Sequence, residues 1–232
     1  MFINGFDILW DEVDDYVADI QSIRSIDQFT FNKPVTFFCG ENGSGKSTLL
    51  EALAIKNGLN PEGGTRNYNF STYDSYSDLH NHMRLWRSRK PDWMYFLRAE
   101  SFYNVATKEM EYSGVFSERY HDQSHGQSFF SVLMKQTNKN GLYLLDEPEA
   151  ALSCQNQLAL LYLIQSCVKQ NCQFIIATHS PILLGFPNAQ ILSFDEDKVE
   201  EVDYKSTSSY QTMKLFLDRY DYFVEDIKEN EI

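Results

Sequence analysis

Apolar residues along the chain fall into short uninterrupted runs, and each run is followed by glycine or polar residues. The runs at 34–40, 142–145 and 174–177 are typical of strands buried on both faces. The segment 46–56 has the composition of a helix, and 154–169 has that of a largely buried helix. Strands that are apolar on both faces and alternate with helices predict an α/β fold, with a mostly parallel sheet flanked by helices.

The pattern changes in two other parts of the chain. The section at about 57–91 is rich in Gly, Asn, Ser and Tyr, which predicts an irregular insertion or small subdomain. The segment at about 195–232 holds twelve acids and five bases. Within it, 210–227 has the spacing of an amphipathic helix that would pack on the body or dock a partner. We therefore expect one domain over 1–232 with an inserted subdomain and an acidic C-terminal segment.

Length, composition and cysteine spacing limit the classes of protein to which this chain can belong. With 232 residues, of which 43% are hydrophobic, the chain can bury a substantial core. It contains no run of about 20 apolar residues, and its first residues are acidic where a signal peptide would be basic. We expect a cytoplasmic protein without membrane insertion. The four cysteines show no paired spacing, so they are interpreted as reduced thiols.

A net charge of -13 argues against general nucleic-acid binding, because that affinity comes mainly from Lys and Arg. The basic segment 84–90, RLWRSRK, is a local exception with four basic residues and Trp86 in seven positions. A solvated basic face is its simpler interpretation, and contact with a DNA phosphate backbone is the alternative.

The sequence GENGSGKS at 40–47 fits the phosphate-loop pattern G-x-x-x-x-G-K-[ST], between a predicted strand and a predicted helix. Glycines allow backbone N–H groups to surround phosphates, and the helix adds its positive N-terminal end. Lys46 would reach the β- and γ-phosphates of ATP, and Ser47 would bind Mg²⁺. The candidate ATP-binding residues of this loop are Gly40, Glu41, Asn42, Gly43, Ser44, Gly45, Lys46, Ser47 and Thr48.

Two later strands end in further candidate residues. The strand in LYLLDEPEA leads to Asp146 and Glu147 at the carboxyl edge of the sheet, where the phosphates should lie. Asp146 would bind Mg²⁺, and Glu147 would act as general base toward the attacking water. The strand in FIIATHSP leads to His179, whose imidazole could hydrogen-bond the γ-phosphate at the same edge.

The segments GENGSGKS, LLDEPEA and ATHSP, in this order, resemble the ATP-binding-cassette superfamily of P-loop ATPases. The sequence SHGQS at 124–128 is similar to that superfamily's signature, normally L-S-G-G-Q. The resemblance implies that Ser124, Gly126 and Gln127 contact ATP bound by a second copy in a head-to-tail dimer. His125 and Gln123 depart from the signature, and Ser153 stands where transporter cassettes usually have aspartate.

A finer resemblance is to small bacterial ATPases related to the overcoming-lysogenization-defect and chromosome-maintenance types. It is carried by segments between 34 and 184, among them EGGTRNYNFST, YFLRAESFYNVAT and DQSHGQSFF. By position in the LRAES segment, Glu100 would take the place of a magnesium-contacting glutamine of transporter cassettes. Tyr16 and Arg24, upstream of the phosphate loop, are candidates for adenine contact by position alone.

The resemblance implies an Mg²⁺-dependent ATPase whose homodimer encloses two ATP molecules and drives a soluble process, DNA-linked or defensive, with an unidentified protein partner. Two other functions stay open. One is the ATP-binding subunit of a membrane transporter, against which the altered signature and Ser153 weigh. The other is a nucleotide-gated binding module with little turnover, although Lys46, Asp146, Glu147 and His179 supply the usual hydrolytic groups.

Overall fold

The computed structural model of the chain describes residues 1–13, 15–64, 76–98, 137 and 140–229. The strands of the described part are β1 Ile3–Ile8, β2 Gln28–Thr30, β3 Val35–Cys39, β4 Met83–Arg87, β5 Trp93–Arg98, β6 Gly141–Asp146, β7 Gln173–Ala177, β8 Gln190–Ser193 and β9 Glu200–Glu201. The α-helices are α1 Gln21–Arg24, α2 Lys46–Lys56, α3 Leu79–His82, α4 Cys154–Val168, α5 Pro181–Leu184, α6 Ser208–Asp218 and α7 Tyr220–Glu229. Short 3₁₀ turns lie at Trp10–Glu12, Tyr16–Asp19, Pro148–Ala151 and Tyr204–Ser206.

The main sheet has the strand order β5-β6-β7-β3-β8-β9. All of its neighbouring strands run parallel except β9, which pairs antiparallel with β8. Every residue of β3, β6 and β7 is buried, as expected for central strands covered on both faces. The predicted α/β fold class with a mostly parallel sheet is confirmed, and helix α2 has the bounds that the sequence predicts.

Two hydrophobic clusters cover the two faces of the main sheet. Phe38 and Ile175 belong to the cluster that includes α2 and β1, whereas Phe37 and Ile176 belong to the cluster that includes α4. This division follows from the alternation of side chains along a strand. The carboxyl ends of the parallel strands therefore meet at one edge between two helical layers, which is where a ligand site is expected.

A second, antiparallel sheet with the order β2-β1-β4 packs into the cluster that contains α2. The buried Gln173 of β7 links the two sheets, because its side chain accepts from Phe2 N at 2.7 Å and donates to Ile3 O at 2.9 Å. Strand β4 and helix α3 lie within 57–91, the section that the sequence predicts as an irregular insertion or small subdomain. That section therefore includes regular structure at 79–87.

Helix α4 is buried on one face only, so the prediction of a largely buried helix is wrong. Leu160 and Ile164 are fully buried, whereas Leu158 and Tyr162 are exposed. The four-residue spacing of the buried pair marks the face that packs on the sheet.

Ser153 precedes the first residue of α4 as its N-cap, and its side chain accepts a hydrogen bond from the backbone N–H of Asn156.

The C-terminal segment forms two helices, α6 and α7, separated at Arg219. The single amphipathic helix packed on the body is not observed, because neither helix has a buried residue among those whose exposure is described. Phe216, Leu217, Tyr220 and Ile227 are among the exposed apolar side chains of this segment.

Among the helices that the structure describes, none has the length and apolar character needed to cross a membrane.

Candidate functional site

The phosphate-loop segment 40–47 follows the carboxyl end of β3 and includes the first two residues of α2, Lys46 and Ser47. Gly40 and Gly45 have φ values of +138° and +94°, a region that side chains with a Cβ rarely adopt. A Cβ on Gly45 would lie 2.6 Å from Cδ1 of Ile23 in α1. The hydroxyl of Ser22 donates to Ser44 O at 2.5 Å. The loop is therefore shaped by its glycines and held by α1.

The Lys46 side chain turns back onto this loop. Its Nζ donates to Gly40 O at 2.8 Å and Glu41 O at 2.7 Å, and more weakly to Ser44 Oγ at 3.3 Å. Burial lowers the pKa of Lys46, while the nearby carboxylates of Glu147, Asp195 and Asp146 act in the opposite direction. Neutral carbonyls are weaker partners for an ammonium than phosphate oxygens are. The geometry therefore leaves Lys46 poised for an anionic ligand.

Ser47 and Asp146 come together as the sequence predicts. Ser47 Oγ, in the first turn of α2, donates to Asp146 Oδ1 at 2.8 Å across the carboxyl edge of β6. Asp146 is buried, with 6% of its surface exposed. A hydroxyl and a carboxylate are hard oxygen ligands of the kind that Mg²⁺ prefers. The residues present thus fit a magnesium site of the P-loop type.

Arg98 is a site residue that sequence reasoning missed. It ends β5 directly beside Asp146, and its Nε lies 3.6 Å from Asp146 Oδ2. Its Nη1 also binds the Glu51 carboxylate of α2. Burial raises the pKa of Glu51, and the Arg98 guanidinium opposes that rise. Arg98 therefore joins two acids behind the candidate metal ligands, and only its position at a strand end could have indicated this.

Glu147 has a left-handed backbone, with φ +47° and ψ +51°, although such a conformation is uncommon for a residue other than glycine. Its backbone N–H donates to Ala177 O at 2.9 Å, which fixes this turn to β7. The carboxylate is 40% exposed, and its Oε1 lies 3.5 Å from His179 Nε2. Among the described residues this His179 nitrogen has no hydrogen-bond partner, although the atom is buried.

Glu149, two residues further on, holds the loop that carries His179. Its Oε1 accepts from His179 N at 2.6 Å and from Ser180 N at 3.2 Å. Sequence reasoning did not single out Glu149, because an acid beside an acidic pair has no distinctive spacing of its own. The residue positions the His179 backbone and does not reach the phosphate loop.

Asp195 fixes the first residues of the phosphate loop and was also missed. Its Oδ1 accepts from Glu41 N at 2.9 Å, and its Oδ2 accepts from Ser208 Oγ at 3.1 Å. Ser208 is the first residue of α6. One carboxylate therefore joins the loop to the start of the C-terminal helices.

The remaining predicted residues divide into two groups. Ser124, Gly126, Gln127 and Glu100 lie outside the described residues. Tyr16 is exposed in the 3₁₀ turn before α1. Arg24 ends α1, and its guanidinium stacks over the Trp10 ring with Cζ 4.7 Å from the centroid. Adenine contact by Tyr16 or Arg24 stays a prediction.

Comparisons with known proteins agree with this geometry. Residues 18–82 match a family model described as an AAA domain, and residues 125–184 match one described as an AAA ATPase domain. The first match includes the phosphate loop, and the second includes Asp146, Glu147 and His179. The two matched segments thus hold the candidate residues that the structure brings to one edge.

A protein of Haemophilus influenzae described as an uncharacterized ABC transporter ATP-binding protein is 27% identical over 196 residues, covering 73% of each chain. Among solved structures, cbiO1 from Clostridium perfringens, part of the ABC transporter complex cbiONQ, is 17% identical with a TM-score of 0.46, over 97% of this chain and 100% of that one. The SMC head domain from Thermotoga maritima is 14% identical with a TM-score of 0.44, over 87% and 98%. The two family models, the Haemophilus relative and the motif geometry together support the resemblance of this chain to the ATP-binding-cassette superfamily of P-loop ATPases.

Proposed function

We propose that the chain hydrolyses ATP with Mg²⁺ in a head-to-tail homodimer and uses the resulting conformational cycle in a soluble, cytoplasmic process. The observation that supports this best is the hydrogen bond of 2.8 Å between Ser47 Oγ and Asp146 Oδ1, at the N-terminal end of α2. It joins the phosphate-loop motif to the acidic strand end, two features that are independent in the sequence.

Binding of ATP would begin with Lys46. Its ammonium would exchange the carbonyls of Gly40 and Glu41 for β- and γ-phosphate oxygens, which form stronger charge-assisted hydrogen bonds. Backbone N–H groups of the loop and of the first turn of α2 would surround the phosphates. Ser47 and Asp146 would hold Mg²⁺, and the bound ion would neutralise developing phosphate charge.

Hydrolysis would depend on Glu147 and His179. The half-exposed Glu147 carboxylate can accept a proton from water, and it lies close enough to the Lys46 ammonium to oppose the lowering of the Lys46 pKa by burial. The buried His179 Nε2 atom lies 3.5 Å from Glu147 Oε1 and has no hydrogen-bond partner among the described residues. It would be the atom that hydrogen-bonds a γ-phosphate oxygen when ATP binds. Glu147 would then act on the attacking water, and His179 would act on the γ-phosphate that the water attacks.

The head-to-tail dimer follows from the resemblance of SHGQS to the superfamily signature. Ser124, Gly126 and Gln127 of one copy would contact the ATP held by the phosphate loop of the other. Asn42 and Gly43, at the tip of that loop, are exposed, as such contact requires. Glu100 would add a magnesium contact from the same copy as Ser47.

The test combines turnover with solution mass. Wild-type protein, Glu147→Gln, Lys46→Ala and the control Glu196→Gln, an exposed acid, are assayed for phosphate release and for mass by light scattering, with and without Mg-ATP. We expect Glu147→Gln to bind ATP, to lose turnover and to shift from monomer to dimer only with ATP. Lys46→Ala should lose ATP binding, and Glu196→Gln should behave as wild type.

The outcomes separate the parts of the proposal. Full turnover by Glu147→Gln would refute its role as general base. A mass that ATP leaves unchanged, in a variant that binds ATP, would refute the ATP-dependent dimer. Wild-type protein that binds ATP without turnover would favour a nucleotide-gated binding module.

A second candidate function is the ATP-binding subunit of a membrane transporter, because the Haemophilus relative is described in those terms. Ser153, where transporter cassettes usually have aspartate, serves as the N-cap of α4 and offers no charge for coupling. Purification of the tagged chain from detergent-solubilised cells tests this function. A membrane protein recovered with the wild-type chain in constant ratio would favour the transporter over the soluble process.

A further inference from the structure

Two cysteines lie next to each other at the amino edge of the main sheet, where α4 ends and β7 begins. Cys167 is the last residue but one of α4, and Cys172 directly precedes β7. The backbone N–H of Cys172 donates to Cys167 O at 3.1 Å, and the two thiols are hydrogen-bonded to each other. Both are free and buried cysteines. We call these two residues the thiol pair.

The arrangement of the thiol pair suits a disulfide. A disulfide joins residues whose Cα atoms are about 4.4–6.8 Å apart and whose side chains converge. The direct backbone hydrogen bond keeps the Cα atoms of Cys167 and Cys172 close. The hydrogen bond between the thiols requires that the two side chains point toward each other. The bond can therefore form without a large movement of the backbone.

The surroundings favour a thiolate on Cys172 and a thiol on Cys167. The hydrogen bond from Cys167 lowers the pKa of Cys172 to about 7, opposed by burial and assisted by the backbone N–H groups of Gly141 and Asn140. The hydrogen bond to Cys172 and burial together raise the pKa of Cys167. Because the thiolate is the reactive form of cysteine, Cys172 is the residue that reacts first and Cys167 supplies the second sulfur.

The thiol pair is also placed for access by a small oxidant. Between the two cysteines the chain runs through the exposed turn 169–171, and surface turns open more readily than buried strands do. Opening of this turn would admit a molecule the size of water without disturbing the sheet. In the part of the chain that the structure describes, no cluster of three or more His, Cys, Asp or Glu could hold a metal ion, so two thiols alone favour a disulfide over a metal site.

We propose that the thiol pair is a site of reversible oxidation, at which hydrogen peroxide converts the two thiols into an intramolecular disulfide. First, the Cys172 thiolate attacks a peroxide oxygen: an S–O bond forms, the O–O bond breaks, and the leaving hydroxide takes up a proton to become water. The Cys167 sulfur then attacks the Cys172 sulfur: the S–S bond forms, the S–O bond breaks, and the hydroxide leaves with the Cys167 proton as a second water. An external dithiol reverses the reaction, as is typical of disulfides in reducing compartments.

The experiment maps the disulfide by digestion with trypsin. The full-length Cys154→Ser protein, which lacks the exposed thiol, is treated with hydrogen peroxide in native buffer. The remaining thiols are blocked with N-ethylmaleimide before the protein is denatured and digested. Trypsin cleaves after Lys169, between the two cysteines, so the two peptides stay joined only through a disulfide. We expect joined peptides that dithiothreitol separates, while Cys39, whose pKa burial raises to about 12, stays unoxidised.

Cys167→Ser and Cys172→Ser in the same background are the matched variants. Cys172→Ser should slow oxidation of the remaining member of the pair at least about tenfold, because the thiolate is lost. Cys167→Ser should leave Cys172 as a sulfenic acid that a dimedone probe labels, since no second thiol is near it.

Three results would overturn the proposal. In the first, peroxide leaves the two peptides separate. In the second, joined peptides form only when urea is present during oxidation, which would mean that the folded chain does not react. In the third, disulfides that include Cys39 form as readily as the disulfide between Cys167 and Cys172. The first two results are obtained without a substitution in the thiol pair, so they hold even if one of its serine variants fails to fold.

Discussion

Replacement of Glu149 tests whether the His179 loop is held in place by one carboxylate. Glu149 Oε1 accepts hydrogen bonds from the backbone N–H groups of His179 and Ser180, at 2.6 and 3.2 Å. Glu149→Ala removes this acceptor from both N–H groups, and the Ser180 N–H keeps Thr178 Oγ1 as an acceptor at 3.0 Å. Glu149→Gln keeps an oxygen of the same reach but removes the charge.

The expected loss of stability follows from these two bonds. A hydrogen bond to a charged group contributes about 1.5–3 kcal/mol, and a neutral one roughly 1 kcal/mol. Because Glu149 is half-buried and the second bond is long, we take about 2–3 kcal/mol for Glu149→Ala and about 1 kcal/mol for Glu149→Gln. For a domain of this size, 1 kcal/mol corresponds to about 2–4 °C in melting temperature. Glu149→Ala should therefore melt about 4–12 °C lower than wild type.

The turnover rate tells whether Glu149 positions the His179 loop for hydrolysis or only stabilises the fold. Since the phosphate loop does not contact Glu149, ATP affinity should stay within twofold of wild type, while kcat of Glu149→Ala falls at least about tenfold, equivalent to 1.4 kcal/mol. Glu149→Gln should recover most of the turnover. Equal melting temperatures for the two variants, or wild-type kcat in Glu149→Ala below its melting temperature, would contradict the positioning role.

Three other replacements probe the same edge of the sheet. Gly45→Ala should lower the melting temperature by about 4–8 °C, since a left-handed backbone with a Cβ and a close contact to α1 together cost about 2 kcal/mol. Ser47→Ala should raise the Mg²⁺ concentration needed for half-maximal turnover by about tenfold, because one hard ligand of the ion is lost; an unchanged Mg²⁺ titration would remove Ser47 from the metal site. Arg98→Gln should destabilise the chain in urea by about 1–2 kcal/mol because it leaves the carboxylate of Glu51 unpaired. Adding Glu51→Gln should restore part of that loss, and no restoration would refute this cause.

The sequence predicted the parts of the site that depend on local pattern. Strands β3, β6 and β7 carry apolar runs, and α2 has a helix-forming composition. The residues that follow each strand are brought together by the parallel pairing alone. The pairing of Ser47 with Asp146 needed only that both strands end at one edge. The hydrophobic pattern of the sequence was therefore enough to predict the position of site residues that directly follow a buried strand.

The residues that the sequence did not reveal act through distant partners. Asp195 binds Glu41 N across 154 positions of the chain, and Arg98 binds Glu51 across 47. An isolated Asp or Arg beside a strand end looks like a solvated charge until its partner is known. The antiparallel sheet was missed for the same reason, because Phe6 of β1 pairs with Leu85 of β4 through a section of mixed composition.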